Sequence, residues 1–313
     1  MSNLPDMIIP PIHSYEQILD RAKERATQKK YRATIVFPTD PAMVHAVARA
    51  VSEGLFSLSA IGNKQACDAI CSAEGVSIPF TDFISIDDPV AAVQRAGEMA
   101  ADGETDFLIK GKLLTSDFLK ILFQHDARFV SKDKTISHVA VLKPARYKKL
   151  LMVTDGAVVV LPDLKRKIDL VGNIVRVGKA IGIELPRVAL LSAVEVVYPQ
   201  MPVTVEAAVI SKMAERGQIK GAYVDGPLSF DIAVDMFAAH SKGVKNSAVA
   251  GQADAMVAPN IETANGVYKA MALYGNCQMG GVLVGGATPV ALGSRSDTVE
   301  GKYHSLALAL LTV

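Results

Sequence analysis

Short hydrophobic runs alternate with longer amphipathic stretches along most of the chain. The runs, such as residues 33–37, have the length of buried strands, whereas stretches such as residues 163–183 repeat apolar positions at helical spacing. Strands that alternate with helices predict parallel sheets joined by right-handed crossovers. The pattern predicts about ten strands, more than one ordinary core holds at this length, and therefore favours doubly wound α/β domains. Periodicity alone leaves a barrel open as an alternative.

The predicted strands divide into two groups, and the boundary between them falls near residues 143–148. We predict a first α/β domain from residues 1–143 together with residues 294–313, and a second domain from residues 144–293. The end of the chain is assigned to the first domain because a helix predicted over residues 298–313 is expected to pack back on it. The predicted fold class is therefore α/β, with two doubly wound domains and a cleft between them.

Five predicted strands share a feature at their carboxyl ends, where the hydrophobic run stops and Asp, Ser, Gly or Arg follows. These strands and the turns after them lie in segments 150–158, 188–195, 221–231, 253–260 and 288–297. Open α/β sheets place their binding crevices outside the carboxyl ends of their strands. The sequence therefore predicts that several of these turns converge on one pocket.

The charge of the chain gives no general reason to expect a nucleic acid or an anionic membrane as partner, because 33 Lys and Arg oppose 32 Asp and Glu. No apolar run approaches the roughly 18 residues that a membrane-spanning helix needs, and the first residues lack the basic and apolar regions of a signal peptide. Three cysteines, an odd number without a signal, are typical of a reducing compartment. We therefore expect a cytoplasmic protein with small-molecule partners.

Familiar motifs for dinucleotides, nucleoside triphosphates and activated nucleophiles do not occur in the sequence. The turn after the first predicted strand, residues 38–43, lacks the glycines that let the backbone approach a pyrophosphate. A nucleophile elbow, an HExxH helix and a paired CxxC are also missing, so no metal site is predicted. The six histidines are scattered, and we predict structural or surface roles for them. Only His304, in the last predicted helix, is singled out as a candidate.

The turn at residues 293–297 is the strongest candidate for anion binding. Ser294 and Arg295 follow a predicted strand and precede a helix, whose first N–H groups attract an anion. A guanidinium binds two oxygens of one phosphate, while the hydroxyl of Ser294 adds a donor and Asp297 adds a carboxylate. The alternative is a capping turn in which Ser294 and Asp297 satisfy the helix N–H groups, and this alternative leaves Arg295 unexplained.

Further candidates lie in the other turns and at another predicted helix start. The helix start carries four polar candidates, which are Lys110, Thr115, Ser116 and Lys120. Lysines in such a position bind phosphate or form a solvated face, and both interpretations stay open. Asp-Gly turns occur at residues 155–156 and 225–226, although this dipeptide is common in turns of every kind.

In combination, these segments resemble the phosphate acetyltransferase and phosphate butyryltransferase family over nearly the whole chain. The specific segments are VTDGAV, LSAVE, DGPLSFD and SRSD, at residues 153–158, 191–195, 225–231 and 294–297. The resemblance implies two α/β domains like those of isocitrate and isopropylmalate dehydrogenases, an active site in the cleft, and a homodimer or larger homo-oligomer. It also implies reversible transfer of a short acyl group, acetyl or butyryl, between coenzyme A and inorganic phosphate, with acyl phosphate as the product.

The same resemblance implies roles for the candidate residues. The implied catalytic residues are Ser294, Arg295, Asp297 and Glu300. The implied contacts to substrate and coenzyme A are Lys110, Thr115, Ser116, Lys120, Thr154, Asp155, Gly156, Ser192, Glu195, Asp225, Gly226 and Pro227. A carboxylate would take the proton of the coenzyme A thiol, whose pKa is about 8.5, while a guanidinium and a hydroxyl hold the phosphoryl group. No acyl-enzyme and no permanently bound cofactor is implied, because the coenzyme A thioester and phosphate are themselves the substrates.

The chain departs from the acetyl-type pattern, in which a pair of aspartates follows the serine and arginine. The corresponding positions here are Glu300 and Gly301, so the aspartate that serves as base in that pattern is missing. Asp297 resembles the butyryl-type pattern, which leaves Asp297 or Glu300 as the base and favours a broader or longer acyl substrate. Lys120 stands where an arginine is usual and would replace a forked contact with a point charge.

Two other functions stay open at this point. A metal- and NAD-dependent decarboxylating dehydrogenase of related architecture would use Asp225 and Asp231 as ligands, but the sequence supplies no further ligands for that site. A non-catalytic sensor of acyl-coenzyme A or acyl phosphate would keep the pocket and lose the base.

Overall fold

The computed structural model describes residues 12–125, 128–130, 133–294 and 297–313, in which strands and helices alternate as predicted. The strands are β1 (Arg32–Val36), β2 (Ser57–Gly62), β3 (Phe80–Ser85), β4 (Phe107–Lys110), β5 (Ser137–Lys143), β6 (Leu151–Thr154), β7 (Arg187–Leu191), β8 (Tyr223–Leu228), β9 (Ala255–Val257), β10 (Gln278–Val284) and β11 (Val290–Ala291). The helices are α1 (Tyr15–Gln28), α2 (Pro41–Ser52), α3 (Lys64–Ala73), α4 (Pro89–Ala101), α5 (Thr115–His125), α6 (Leu164–Ala180), α7 (Pro202–Glu215), α8 (Phe230–Val234), α9 (Met236–Ser241), α10 (Ile261–Tyr274) and α11 (Val299–Thr312).

These strands form one sheet in the order β3-β2-β1-β4-β11-β10-β5-β6-β9-β7-β8. The first five strands in this order are parallel to one another, and so are the last four. Strand β10 is antiparallel to both β11 and β5, and β5 is antiparallel to β6. The parallel strands of the two halves consequently run in opposite directions, and β5 and β10 lie at the junction between the halves.

Helices cover both faces of this sheet, which confirms the predicted doubly wound α/β class. In β1, the side chain of Ile35 packs into a core with Met43 of α2 and Leu306 of α11. The next side chain, Val36, points to the opposite face and packs with Phe118 of α5. Successive strand residues that are both fully buried on opposite faces are typical of a sheet between two helical layers.

The helices begin where the sequence provides capping residues. Asp40, Asp88 and Asp163 precede α2, α4 and α6, and each side chain accepts a backbone N–H from the first turn of its helix. In the part of the chain that the structure describes, no helix has the length and apolar character needed to cross a membrane.

Helix α11 lies against α1, α2 and β10, so the end of the chain packs on elements of the first half. Strands β10 and β11, at residues 278–291, lie between β4 and β5, although the predicted boundary assigned them to the second domain. The domain boundaries themselves stay a prediction.

Alternate side chains of β5 face different layers of the structure. Val139 and Val141 join the main core, whereas Ala140 and Leu142 pack with Tyr268 of α10. Strand side chains alternate with a period of two, so His138 lies on the same face as Ala140. This face of the junction strands forms the floor of the candidate site.

Candidate active site

A cavity of about 390 Å³ lies over β5 and β10, between the start of α5 and the helix α10. Five residues that the sequence singled out line this cavity, namely Thr115, Ser116, Gly156, Ser294 and Asp297. They come from three segments that are distant in sequence, namely the start of α5 and the turns after β6 and β11. The structure therefore brings residues from both halves of the chain to one cavity.

Asp297 is the partly buried carboxylate of this cavity. Its Oδ2 accepts the backbone N–H of Ser294 at 2.7 Å, so the two residues are held in one tight turn. Burial raises the pKa of Asp297, and the Ser294 N–H together with the positive charges of Lys302, Lys269 and Lys110 opposes this rise. The turn thus combines a carboxylate of increased proton affinity with three nearby lysines, of which Lys302 is paired with the carboxylate of Asp40 at 2.8 Å.

Glu300 lies outside this cavity. Its carboxylate pairs with Nη1 of Arg49 at 2.9 Å, and its side chain is 52% exposed. It lines a neighbouring cavity of about 660 Å³, which is also lined by Gly301 and Asp297. Of the two carboxylates that the sequence offered as the base, only Asp297 lies in the same cavity as Ser294.

The turn after β6 is held by a buried carboxylate. Asp155 is 2% exposed, and its two oxygens accept the backbone N–H groups of Ala157, Val158 and Val159 at 2.8–3.1 Å. Burial raises the pKa of Asp155 to about 6, against the opposing effect of these donors. The side chain therefore fixes the turn that presents Gly156 to the cavity and does not line the cavity itself.

Thr154 is fully buried one residue earlier, and its Oγ1 has no hydrogen-bond partner among the described residues. A contact of Thr154 with substrate stays a prediction.

The fold places the four residues predicted around the start of α5 in different environments. Thr115 and Ser116 reach the cavity, whereas Lys120 is exposed and does not line it. Lys110 is 3% exposed, and its Nζ donates to the carbonyl oxygens of Gly111 at 3.2 Å and Leu113 at 3.0 Å. Its ammonium thus stabilises the loop that leads to α5.

The residues predicted to follow β7 and β8 do not line this cavity. Asp225, Gly226 and Pro227 lie within β8, so the Asp-Gly turn predicted at residues 225–226 is wrong. Ser192 lines a separate cavity of about 790 Å³. Neither of these two cavities is lined by Glu195, Asp225, Gly226 or Pro227. The physical reason is the sheet order, in which β8 is an edge strand three positions from β6, roughly 14 Å away at about 4.8 Å per strand. Their roles as substrate contacts stay predictions. Arg295 lies outside the described residues, so its role also stays a prediction.

Sequence reasoning missed several residues that line the cavity, among them one side chain of β5 and two of α10. These three are His138 of β5 and Asn265 and Tyr268 of α10. Nδ2 of Asn265 donates to the carbonyl oxygen of Gly156 at 2.8 Å, which ties α10 to the turn after β6. No local sequence signal marks these residues, because a polar side chain within a buried strand or helix has the same pattern whether it packs in a core or lines a site.

His304, the only histidine that the sequence singled out, has a packing role. Its ring is 2% exposed and stacks on the ring of Tyr15, with the ring centroids 3.8 Å apart. Its Nδ1 lies 3.2 Å from the carbonyl oxygen of Met279. It borders the neighbouring cavity rather than the one that contains Ser294.

The sequence is similar to that of characterised proteins over most of its length. A family model described as "Phosphate acetyl/butaryl transferase" matches residues 86–310. A phosphate butyryltransferase of Clostridium acetobutylicum is 40% identical over 302 residues, which cover 96% of this chain and 98% of that protein. A phosphate acetyltransferase of Thermotoga maritima is 37% identical over 294 residues, which cover 93% and 98% of the two chains.

The fold is similar to that of a solved structure with a related description. A branched-chain phosphotransacylase from Enterococcus faecalis V583 superimposes with a TM-score of 0.75 and 28% sequence identity. The superposition covers 90% of this chain and 98% of that chain. Sequence and fold therefore point to the same group of proteins.

Proposed function

We propose that this chain, a phosphate acyltransferase that belongs to the phosphate acetyl/butyryl transferase family, transfers its acyl group between coenzyme A and phosphate in the cavity of Ser294 and Asp297. The observation that carries this placement is the Asp297 carboxylate, which is held against Ser294 in a cavity shared by turns of both halves. Coenzyme A thioester and phosphate bind as substrates, and no cofactor is held permanently. The family match does not favour the dehydrogenase alternative.

The reaction needs one proton acceptor near the sulfur. A thiol with a pKa of about 8.5 is mostly protonated at neutral pH, so its attack on an acyl phosphate requires a base. The carboxylate of Asp297 takes this proton as the sulfur bonds to the carbonyl carbon, and phosphate leaves with the electron pair of the broken C–O bond. In the reverse direction the same carboxyl group returns the proton to the departing sulfur.

Anionic substrates are attracted by the charges around this turn. Lys110, Lys269 and Lys302 lie close enough to act on the carboxyl group of Asp297, and Lys269 lines the cavity. The hydroxyl of Ser294 supplies a donor, and the sequence assigns the guanidinium of Arg295 to the phosphoryl oxygens. Developing charge on phosphate is stabilised most effectively by donors that are held in place before the reaction begins.

We expect phosphate to accelerate the loss of absorbance of an acyl-coenzyme A thioester, with formation of acyl phosphate. Butyryl-coenzyme A is expected to react faster than the acetyl compound, because the acetyl-type aspartate is replaced by Gly301 and a similar protein is a phosphate butyryltransferase. The assay uses acetyl-, propionyl- and butyryl-coenzyme A with and without phosphate. Thioester loss that is independent of phosphate would contradict the proposal, and binding without turnover would favour a sensor.

We further infer a homodimer or larger homo-oligomer, because large apolar side chains are exposed in the second half. Leu161 is 70% exposed and Phe230 is 38% exposed, and both line the separate cavity of about 790 Å³. Phe237, farther along the chain, is 80% exposed. A contiguous apolar surface such as the one that Leu161 and Phe230 share is typical of protein interfaces. Light scattering during size-exclusion chromatography measures the mass, and a mass equal to one chain would contradict this inference.

We place the reaction in the cytoplasm, because all three cysteines are free thiols, as expected in a reducing compartment. Cell fractionation tests this placement.

A further inference from the structure

His138 is a buried titratable residue in the wall of the active-site cavity. Its side chain is 4% exposed, and it lines the cavity that contains Ser294 and Asp297. Nδ1 of its ring is buried and has no hydrogen-bond partner in the part of the chain that the structure describes. Buried polar atoms are rarely left unpaired in folded proteins, and an unpaired one in the wall of a cavity is explained by a bound water, a bound ion or a catalytic role.

The neighbouring strand makes room for this ring at one position. Gly281 of β10 lines the same cavity, and a Cβ atom there would lie only 2.4 Å from Nε2 of His138. Any larger residue at position 281 would therefore displace the imidazole. On another side, the ring of Tyr268 lies with its centroid 5.8 Å from that of His138. The imidazole is thus confined between a glycine and an aromatic ring.

The protonation state of His138 decides which chemistry it supports. Burial lowers the pKa of its imidazole to about 4, so the ring is neutral near pH 7 and carries a single N–H. A ring with this pKa is a weak acceptor for a thiol proton. A neutral imidazole is nevertheless an effective hydrogen-bond donor toward an oxygen that gains negative charge, as is known for other enzymes.

We propose that His138 is a catalytic residue that donates its imidazole N–H to the carbonyl oxygen of the acyl group. This inference rests on the proposed function. When sulfur bonds to the carbonyl carbon, the π electron pair moves onto the carbonyl oxygen and the thiol proton passes to Asp297. When the C=O bond forms again, the C–O bond to phosphate breaks and phosphate leaves with its electron pair. His138 stabilises the intermediate oxyanion and neither gains nor loses a proton.

The test replaces His138 by Leu, Gln and Asn in the full-length protein. Leu keeps most of the volume and removes every donor, while the amide nitrogens of Gln and Asn approach the positions of Nε2 and Nδ1. We expect His138→Leu to lower kcat by about 10²–10³-fold, the usual effect of removing one oxyanion donor. The KM values for thioester and phosphate should stay within about threefold, because the contact strengthens only in the transition state. His138→Gln or His138→Asn should recover at least about tenfold in kcat over the Leu variant.

The matched control is His240→Leu, which changes an exposed histidine in α9 and should leave kcat unchanged. A His138→Leu variant that keeps kcat within about threefold of wild type would overturn the proposal. A loss of activity that follows a loss of folded protein, measured by circular dichroism and urea unfolding, would also overturn it, and so would equal losses in all three variants. If the wild-type protein shows no phosphate-dependent thioester cleavage, the proposed function itself fails, and that result is seen before any variant is compared.

Discussion

The Asp297→Asn variant is expected to lower kcat in the thioester-forming direction by about 10²–10⁴-fold, because an amide cannot accept the thiol proton. The amide oxygen can still accept the Ser294 N–H that Oδ2 accepts at 2.7 Å in the native turn, so the fold should persist. Steady-state kinetics with acyl phosphate and coenzyme A measures the loss, and circular dichroism verifies the fold.

The same assignment predicts the pH dependence of the wild-type enzyme. The base acts in its deprotonated form, which is present above its pKa and is lost as the pH falls through that value. Burial raises the pKa of Asp297 above the ordinary range of aspartate, so the acid limb of kcat/KM should lie at a higher pH than for an exposed carboxylate. A pH profile of kcat/KM measures this limb.

Glu300→Gln is the matched control for this prediction. Glu300 is exposed and paired with Arg49, and it does not line the cavity that contains Ser294. An exposed ion pair of this kind contributes little to stability. The kcat of the variant should stay within about twofold of wild type, and the acid limb should not move. If Asp297→Asn keeps full activity, or if Glu300→Gln is the inactive variant, the base has been assigned to the wrong residue.

The alternation of strands and helices was sufficient to predict the fold class, but it carries no information on strand direction. A buried strand has the same hydrophobic pattern whether its neighbour is parallel or antiparallel. The reversal at β5 and β10 therefore could not be predicted, although it sends the carboxyl ends of the two parallel groups to opposite edges of the sheet. For the same reason the cavity lies over the junction strands rather than beside five converging strand ends.

The candidate site likewise contains residues that the sequence could identify and residues that it could not. Ser294 and Asp297 could be predicted because their chemistry is local, a helix start with a donor and a carboxylate. The position of Glu300 could not, because it depends on an ion pair with Arg49, which is 251 residues away in sequence. For His138, as for the other scattered histidines, the sequence predicted only a structural or surface role. The imidazole of His138 has room at the cavity because its neighbour on β10 is Gly281. That neighbour is known only from the register between β5 and β10.

Gly111→Ala is expected to have the largest effect on stability among the variants considered. A Cβ atom at this position would lie 1.9 Å from the carbonyl oxygen of Phe37 and 2.5 Å from that of Val36. Both obstructing atoms belong to the backbone, so no side chain can turn aside. The carboxyl ends of β1 and β4 are joined there by a hydrogen bond, in which the N–H of Gly111 donates to the carbonyl oxygen of Val36 at 2.9 Å. The added methyl group must therefore separate these strand ends and displace the loop that leads to Thr115.

We expect this substitution to lower the free energy of unfolding by about 3 kcal/mol or more, at the upper end of the range for overpacking. Urea unfolding followed by circular dichroism measures the change, and thioester cleavage should fall with it because Thr115 and Ser116 line the cavity. Gly266→Ala is the control, since its Cβ atom meets nothing within 4 Å on α10. Alanine in that helix should raise the free energy of unfolding by about 0.5–1 kcal/mol. Equal free energies of unfolding for the two variants would mean that the strand ends can separate without loss of stability. The link between β1, β4 and the start of α5 would then not be what positions the cavity.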